Sequence, residues 1–317
     1  MNKIAVVAIG GNSLIKDKSH QTVEDQYEAV KETAVHIADL IESGFNVVIT
    51  HGNGPQVGFI LLRSEIAKKV INLHPVPLDA CGADTQGAIG YAIQRALRNE
   101  FRKRGKEKDV VTVVTMVVVD KNDPAFQNPS KPIGPFYTEE EAKEKIEAEK
   151  WIMKEDAGRG WRRVVPSPIP RKIVEINAIK TLVEKGFVVV GVGGGGIPVI
   201  EDDENGQIVG VEAVIDKDYA SSLLARELGA DYFIISTAVE KVYLNFGTPD
   251  QKPIDRMTLE EARKYLKEGH FKEGSMAPKI RAVIEFLEAG GEAAIITSPE
   301  SIVRAIKGET GTWIVPA

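Results

Sequence analysis

Three lysines lie in sequence settings that are unusual for a solvated surface residue. Lys131 lies in the segment SKPIGPF, Lys217 in VIDKD and Lys279 in GSMAPK, and the last two stand at the starts of predicted helices. A cation at a helix N-terminus opposes the helix dipole, so we expect an anion to compensate it. Asp216 and Asp218 can do so for Lys217, but no residue near Lys279 in sequence can. Bound phosphate is the simplest explanation; three ordinary surface lysines are the alternative.

Three glycine loops follow predicted strands: GGNS at 10–13, HGNGPQVG at 51–58 and GGGG at 193–196. In an open α/β sheet, ligands lie beyond the carboxyl ends of the strands, where these loops belong. Glycine lets backbone amides converge on an anion, and a following helix adds its positive end. One such loop is usually just a turn, whereas three at one edge favour a phosphate site.

Two common nucleotide motifs do not fit. The sequence contains no G-x-x-x-x-G-K-[ST], which excludes a P-loop. The run from Gly191 to Gly196 matches G-x-G-x-x-G in form, but Ile197 and Pro198 follow it where a dinucleotide-binding motif needs a helix.

Phosphoryl transfer suits this set of residues. Positive donors and backbone amides can neutralise charge on a moving phosphoryl group, and no covalent nucleophile is needed. An acceptor that is already an anion needs no general base either. His51 is the one candidate base in the glycine loops, and a structural hydrogen-bonding role is the favoured interpretation. Ser13 and Ser275 lack a recognisable triad, so hydrolase chemistry is unsupported.

The elements that must position these residues alternate between β-branched runs and helical periods, which predicts a mostly parallel sheet covered on both faces. Residues 120–170 interrupt this order with one helix, Thr138 to about Lys150, and are expected to form a lid or subdomain. Residues 198–212 predict a hairpin. The strand candidates are Ile4–Ile9, Phe45–Thr50, Val110–Val119, Phe187–Val192, Asp231–Ser236, Ala293–Thr297 and Thr312–Val315, and the helices are 23–41, closed by Gly44, and about 83–104, 173–185, 218–228, 259–267 and 278–289.

Composition restricts the functional class further. The net charge of −6 argues against a broad nucleic-acid surface, which would need to be basic. Cys81 is the only cysteine, so an intramolecular disulfide and a cysteine metal site are both excluded. The apolar runs are too short for a membrane span or a signal peptide, so we expect a cytoplasmic protein without a membrane partner.

At this point the motifs identify a resemblance. The segments AIGGN, THGNGPQVG, KPIGPF, GWRRVVPSP, GGGGIPV, EAVIDKD and GSMAPK are similar, in order and spacing, to those of the carbamate kinase family, within the amino-acid kinase superfamily. The resemblance runs nearly end to end. It implies a kinase that interconverts ATP plus carbamate with ADP plus carbamoyl phosphate, with Mg²⁺ carried by the nucleotide and a place in arginine metabolism.

The resemblance also implies an architecture: one domain over 1–317, built as an open, mostly parallel sheet in a three-layer α/β/α sandwich, and a homodimer. Residues 1–185 would hold carbamate and include a protruding subdomain at about 120–165, while 186–317 would hold MgATP.

Site roles follow from the same resemblance, motif by motif. Lys131, Lys217 and Lys279 would be catalytic, with Asp218 orienting the lysines. The substrate loops would be Gly10, Gly11, Asn12, Gly52, Asn53 and Gly54. The nucleotide contacts would be Gly195, Gly196, Thr237, Ala238, Val239, Tyr243 and Met276, and no metal ligand is implied among the side chains.

Some features depart from the family pattern or fall outside it. Ala277 replaces a frequent glycine and Ala238 a frequent aspartate of the wider superfamily, which leaves the adenine contacts open. Arg162 and Arg163 match a family motif without an evident physical role, and ion pairing within the subdomain is the alternative. A kinase for an amino-acid carboxylate or a nucleoside monophosphate is the nearest rival function, and a non-catalytic nucleotide sensor is the second.

Overall fold

The computed structural model describes residues 2–17, 19–156, 158–202 and 204–317, with the backbone but not the side chain of Asn12. The strands are β1 (Ile4–Ile9), β2 (Asn46–His51), β3 (Val110–Thr112), β4 (Met116–Val119), β5 (Lys131–Tyr137), β6 (Met153–Glu155), β7 (Trp161–Val165), β8 (Pro170–Ile173), β9 (Val188–Val190), β10 (Ile197–Glu201), β11 (Ile208–Gly210), β12 (Tyr232–Ser236), β13 (Val242–Leu244), β14 (Lys252–Ile254), β15 (Arg256–Thr258), β16 (Ala293–Thr297) and β17 (Thr312–Val315). The helices are α1 (Val23–Glu42), α2 (Gly54–Ile71), α3 (Leu78–Lys103), α4 (Glu139–Glu149), α5 (Ile176–Glu184), α6 (Lys217–Leu228), α7 (Leu259–Lys267), α8 (Met276–Glu288) and α9 (Ile302–Ile306).

The main sheet has the strand order β15-β17-β16-β12-β1-β2-β9-β3. Its neighbouring strands are parallel except for the antiparallel pair β16 and β17. Alternate side chains of β1 enter two separate cores: Val6 and Ala8 pack with α6 and α8, while Val7 and Ile9 pack with α1 and α3. This period of two, with helices on both faces, confirms the predicted three-layer α/β/α architecture.

Helix α1 is the clearest case of local sequence deciding local structure. The Thr22 hydroxyl accepts from the backbone amide of Asp25, and the Asp25 carboxylate accepts from the backbone amide of Thr22, which forms a capping box. The apolar stripe of α1 packs against the sheet through Val30, Ala34 and Ile37. Gly44 follows the helix with a φ of +97°, a positive φ that glycine commonly adopts where a helix ends.

The predicted strand Val110–Val119 is wrong as a single element. Its first part, β3, lies at the edge of the main sheet, and its second part, β4, belongs to a second sheet of order β11-β10-β4-β8. Thr115 marks the break: its amide donates to Oε1 of Gln86 at 2.8 Å and is therefore not available to a strand partner. Such an apolar run gives no sign in the sequence that its two halves belong to different sheets.

Residues 131–165, which lie within the predicted excursion of 120–170, depart from the main sheet. They form a separate antiparallel sheet of order β5-β7-β6 with α4 beside it, and Thr138 caps that helix. This subdomain packs against α2, where Val57 meets Ile133 and Val165. Helix α2 itself was not predicted from sequence, because its apolar residues surround the axis and give no stripe.

Strands β10 and β11 pair antiparallel and confirm the predicted hairpin. Among the residues that the structure describes, no helix combines the length and apolar character that crossing a bilayer requires.

Candidate active site

A large cleft, with a volume of about 1050 Å³, opens where the loops after β2 and β12 meet the N-termini of α6 and α8. Lys131 reaches it from the subdomain. The four residues predicted to be catalytic, Lys131, Lys217, Lys279 and Asp218, all line this cleft although they come from three distant stretches of the chain.

Asp218 is the centre of this group. Its Oδ1 accepts from Nζ of Lys217 at 2.8 Å, and its Oδ2 accepts from Nζ of Lys279 at 2.7 Å. The Asp218 side chain is 6% exposed, and the two lysine side chains are 15% and 16% exposed. One buried carboxylate therefore fixes the direction of two ammonium groups, whose lysines lie in the first turns of two different helices.

No residue near Lys279 in sequence compensates its charge, but the fold brings a carboxylate to it. Asp218 supplies the missing anion from another helix, at a sequence separation that spacing alone cannot reveal. Burial opposes ionisation of Asp218, but Lys217 and Lys279 together outweigh it and hold the pKa of that carboxyl well below its usual range. Burial likewise lowers the pKa of Lys217, with Asp218 acting in the opposite direction.

Asp216 links this pair to the subdomain. It is the N-cap of α6, where its Oδ1 accepts from the amide of Asp218 at 2.9 Å. Its Oδ2 accepts from Nζ of Lys131 at 3.2 Å. Three lysines against two aspartates leave one positive charge in excess, which suits a site for anions.

The loop after β2 lies directly beneath the lysines. A Cβ at Gly52 would lie 3.6 Å from Cδ of Lys217. Asn53 is the N-cap of α2, and its Nδ2 donates to Oγ1 of Thr85 at 2.9 Å. Gly52, Asn53 and Gly54 line the cleft, so the predicted substrate loop and the lysine group face each other.

The loop after β1 is wedged against the end of β12. A Cβ at Gly10 would lie 2.8 Å from the carbonyl oxygen of Ser236, so this close approach requires glycine. Gly10 precedes a short 3-10 turn over Gly11–Ser13. The predicted substrate contact through the Asn12 side chain lies outside the described residues.

The predicted nucleotide wall occupies the other end of the cleft. Thr237, Ala238, Val239, Tyr243 and Met276 line it. Gly195 and Gly196 are fully buried and do not face the cleft, because Cβ atoms there would meet Ile215 and Val117. Sequence reasoning missed four further lining residues that share the β13–α8 part of the chain: Phe246, His270, Phe271 and Lys272.

His51 takes the structural position that was favoured for it. It is fully buried, and its Nδ1 lies 2.9 Å from the carbonyl oxygen of Gly52, to which it donates. Burial lowers the pKa of His51 to about 4, and Lys217 adds to that shift. The ring is neutral near pH 7 and does not line the cleft.

The two arginines of the subdomain have separate surroundings. Nη2 of Arg162 donates to the carbonyl oxygen of Gly134 at 3.0 Å, and its guanidinium lies 5.1 Å from the ring centre of Phe136. Arg163 pairs with Glu212 at 3.1 Å, outside the subdomain. Arg162 therefore supports the Lys131 strand, and Arg163 ties the subdomain to the body of the protein.

The described part of the chain contains no cluster of three or more histidine, cysteine or carboxylate side chains able to hold a metal ion. Both carboxylates at the lysine group are engaged by ammonium groups. The arrangement can bind two anionic groups side by side and neutralise charge that passes between them.

Comparison with known proteins agrees with this geometry. The family model described as "Amino acid kinase family" matches residues 3–298. The chain is 55% identical over 314 residues to a carbamate kinase of Thermococcus kodakarensis, covering 99% of each chain. It is 53% identical to a carbamate kinase of Pyrococcus furiosus over the full length of both.

A solved structure gives the same result in three dimensions. Carbamate kinase from Giardia lamblia bound to AMP-PNP superposes with a TM-score of 0.93 at 45% identity, covering 99% of this chain and 98% of the other.

Proposed function

The chain belongs to the amino acid kinase family and, within it, to the carbamate kinases, and from this premise we propose how its cleft works. The enzyme interconverts ATP plus carbamate with ADP plus carbamoyl phosphate. A carbamate oxygen attacks the γ-phosphorus in line, the new O–P bond forms as the bond to the ADP oxygen breaks, and no covalent intermediate arises. Carbamate is already an anion, so no proton has to be removed.

The observation that carries this proposal is the buried carboxylate of Asp218 between the ammonium groups of Lys217 and Lys279. The two lysines stabilise the negative charge that spreads over the transferring phosphoryl group. Because Asp218 fixes both of them before the reaction, little reorganisation is needed as that charge develops.

The acceptor lies on the side of residues 1–185. Lys131 reaches the carbamate and the γ-phosphate from the subdomain, whose bounds we place at about 120–165. Gly52, Asn53 and Gly54 present the start of α2 to the acceptor, and Gly10, Gly11 and Asn12 meet the phosphoryl group that moves.

The nucleotide lies on the side of residues 186–317. Thr237, Ala238, Val239, Tyr243 and Met276 form the wall for the adenine and ribose. Gly195 and Gly196 lie outside that wall: Gly195 allows close backbone packing at Ile215 ahead of the catalytic helix, and Gly196 allows it at Val117.

Mg²⁺ enters as part of the nucleotide substrate. The two carboxylates beside the lysines are already paired, so oxygen ligands come from the phosphates and water. Calorimetry on nucleotide-free protein should therefore detect little Mg²⁺ binding. A tight site without nucleotide would contradict this assignment.

We place the enzyme in the cytoplasm, in arginine metabolism, as a homodimer. The dimer is supported by three large apolar side chains left exposed near the C-terminal end of α2, namely Ile66, Val70 and Ile71. Light scattering after gel filtration should give twice the mass of one chain. A mass of one chain at micromolar concentration would contradict the dimer.

The test of function is ATP formation from ADP and carbamoyl phosphate, followed by a coupled assay. Acetyl phosphate and acyl phosphates of amino acids serve as competing donors, since the rival kinases of this family act on carboxylates. A clear preference for carbamoyl phosphate supports the proposal. Nucleotide binding without turnover would favour the sensor alternative.

A further inference from the structure

The chain takes a strained path immediately before its glycine run. Val192 has φ +52° and ψ +32°, a left-handed conformation that a β-branched residue rarely adopts. Such a residue persists only where its surroundings hold it, and this kind of strain concentrates at functional sites. The amide of Val192 donates to Oγ1 of Thr115 at 3.0 Å, which is the contact that holds it here.

A buried glutamine holds the next residue. Gln86 is 1% exposed and comes from the middle of α3. Its Nε2 donates to the carbonyl oxygens of Gly193 at 3.0 Å and Thr115 at 3.1 Å, while its Oε1 accepts from the amide of Thr115 at 2.8 Å. Thr115 and Gln86 thus form one bracket around residues 192 and 193.

The loop held by this bracket packs between Asn53 and the segment that leads into α6. A Cβ at Gly194 would lie 2.1 Å from Nδ2 of Asn53, on the acceptor side. A Cβ at Gly195 would lie 2.4 Å from the carbonyl oxygen of Ile215, immediately before Asp216 and the start of α6. Neither side leaves room for one extra carbon, so the loop sets the separation between Asn53 and α6.

We infer that Thr115 and Gln86 are positioning residues, which keep the 192–196 loop as a rigid spacer between the acceptor loop and the catalytic lysines. This inference rests on the proposed function and extends it to two residues that do not line the cleft. A misplacement of about 1 Å can cost about 10² in rate. Loss of the bracket should therefore slow the reaction, because the acceptor loop would shift relative to the catalytic lysines.

The first test compares Thr115→Val with Thr115→Ser. Valine keeps the shape but removes the oxygen that accepts from Val192, whereas serine keeps that oxygen. Thr115→Val should raise the KM for carbamoyl phosphate and lower kcat, with a loss of about 10² in kcat/KM. The KM for ADP should stay within about twofold, because the atoms nearest to Gly194, Gly195 and Gly196 belong to Asn53, Ile215, Val117 and Thr115 and not to the nucleotide wall. Thr115→Ser should restore most of the activity.

Two further variants separate positioning from a loss of folding. Thr33→Val removes a hydroxyl that is also buried but bonds only within α1, and it should retain both KM values. Gln86→Met should reproduce the acceptor-specific change of Thr115→Val. Melting temperature and the calorimetric affinity for ADP report the folded fraction of every variant.

Three outcomes would overturn the inference. Thr115→Val could match Thr115→Ser in all constants, or either bracket variant could lose kcat only in proportion to its unfolded fraction with both KM values unchanged. An inactive parent would overturn the proposed function and this inference together, whereas an active parent with an unaffected Thr115→Val variant would overturn this inference alone.

Discussion

The cleft holds its lysines in two different ways. Lys217 and Lys279 lie in the first turns of α6 and α8 and share the buried carboxylate of Asp218. Lys131 comes from the small subdomain sheet, and its side chain is 37% exposed beside Asp216. The first pair is built into the core, and the third lysine is brought to the site by a separate unit.

This difference in burial indicates different roles for the lysines. Charges fixed by a buried partner need no ordering when the transition state forms, so they suit stabilisation of the phosphoryl group. A half-exposed lysine on a separate sheet can move with its subdomain, so it suits capture of the acceptor and closure over it. The lysines of the body should therefore affect kcat, and Lys131 should affect acceptor binding as well.

The largest effect should come from the fixed pair. Lys217→Ala should lower kcat by about 10²–10³ and raise the KM for ADP far less, because this donor acts mainly in the transition state. Asp218→Asn should also slow turnover, since both lysines lose their charged partner. Lys172→Ala is the matched control, because it removes an exposed pair with Glu201. Steady-state ATP formation measures all three, and near-normal kcat in Lys217→Ala would remove it from the catalytic set.

The burial of His51 beside Lys217 can be tested through the pH dependence of the free energy of unfolding. The unfolded chain protonates this imidazole near its ordinary pKa of 6.5, but the folded protein does so only at about 4. The unfolded state therefore binds more protons within this window, and the free energy of unfolding should fall by about 3 kcal/mol as pH drops through it.

Urea unfolding at several pH values measures this slope. His51→Asn keeps a donor for the Gly52 carbonyl and should remove this loss of about 3 kcal/mol. His74→Asn, at an exposed position, is the matched control. Equal slopes for the parent and His51→Asn would show that the histidine is not held neutral by burial.

The two regions also differ in how far the sequence could predict them. Helices α6 and α8 start where charged residues follow an apolar run or a glycine turn. The sequence could therefore predict that Lys217 and Lys279 lie near the starts of helices. Their shared partner was not, because Asp218 and Lys279 are 61 residues apart and only the fold brings them together. The same holds for Lys131, in β5 of the subdomain, and Asp216, at the N-cap of α6, which are 85 residues apart.

Predictions of fold followed periodicity, and failed where periodicity is absent or misleading. Strand β1, helix α7 and strand β16 have the predicted bounds, because β-branched runs and capping boxes mark them. Helix α2 has apolar residues on every side of its axis and therefore gives no stripe that would predict it, and the similar residues of β3 and β4 predict a single strand. Loop packing such as Gly195 against Ile215 depends on contacts that no local pattern encodes.

Substitution of Lys131, the lysine of the subdomain, should have a moderate effect on acceptor binding. Lys131→Ala removes a charged hydrogen-bond donor, which is worth about 1.5–3 kcal/mol, so the KM for carbamoyl phosphate should rise at least tenfold. The KM for ADP should change little. Lys143→Ala is the control within the same subdomain, since it carries only an exposed pair with Glu139. A Lys131→Ala enzyme with altered kcat alone would place Lys131 with the fixed lysines.

The smallest effect should come from the tie between the subdomain and the body. Arg163 contacts Glu212 at 3.1 Å, but Glu212 is 62% exposed, so the pair should contribute about 0.2–1 kcal/mol. Arg163→Ala should leave kcat near that of the parent, because no catalytic lysine depends on this contact. It should, however, loosen the subdomain, so limited proteolysis within residues 120–165 should become faster in the free enzyme. ADP with carbamoyl phosphate should slow that cleavage in both proteins, since Lys131 then gains an anion to hold. Cleavage that ignores ligands in the parent would mean that the subdomain is rigid, and the division into fixed and delivered lysines would fail.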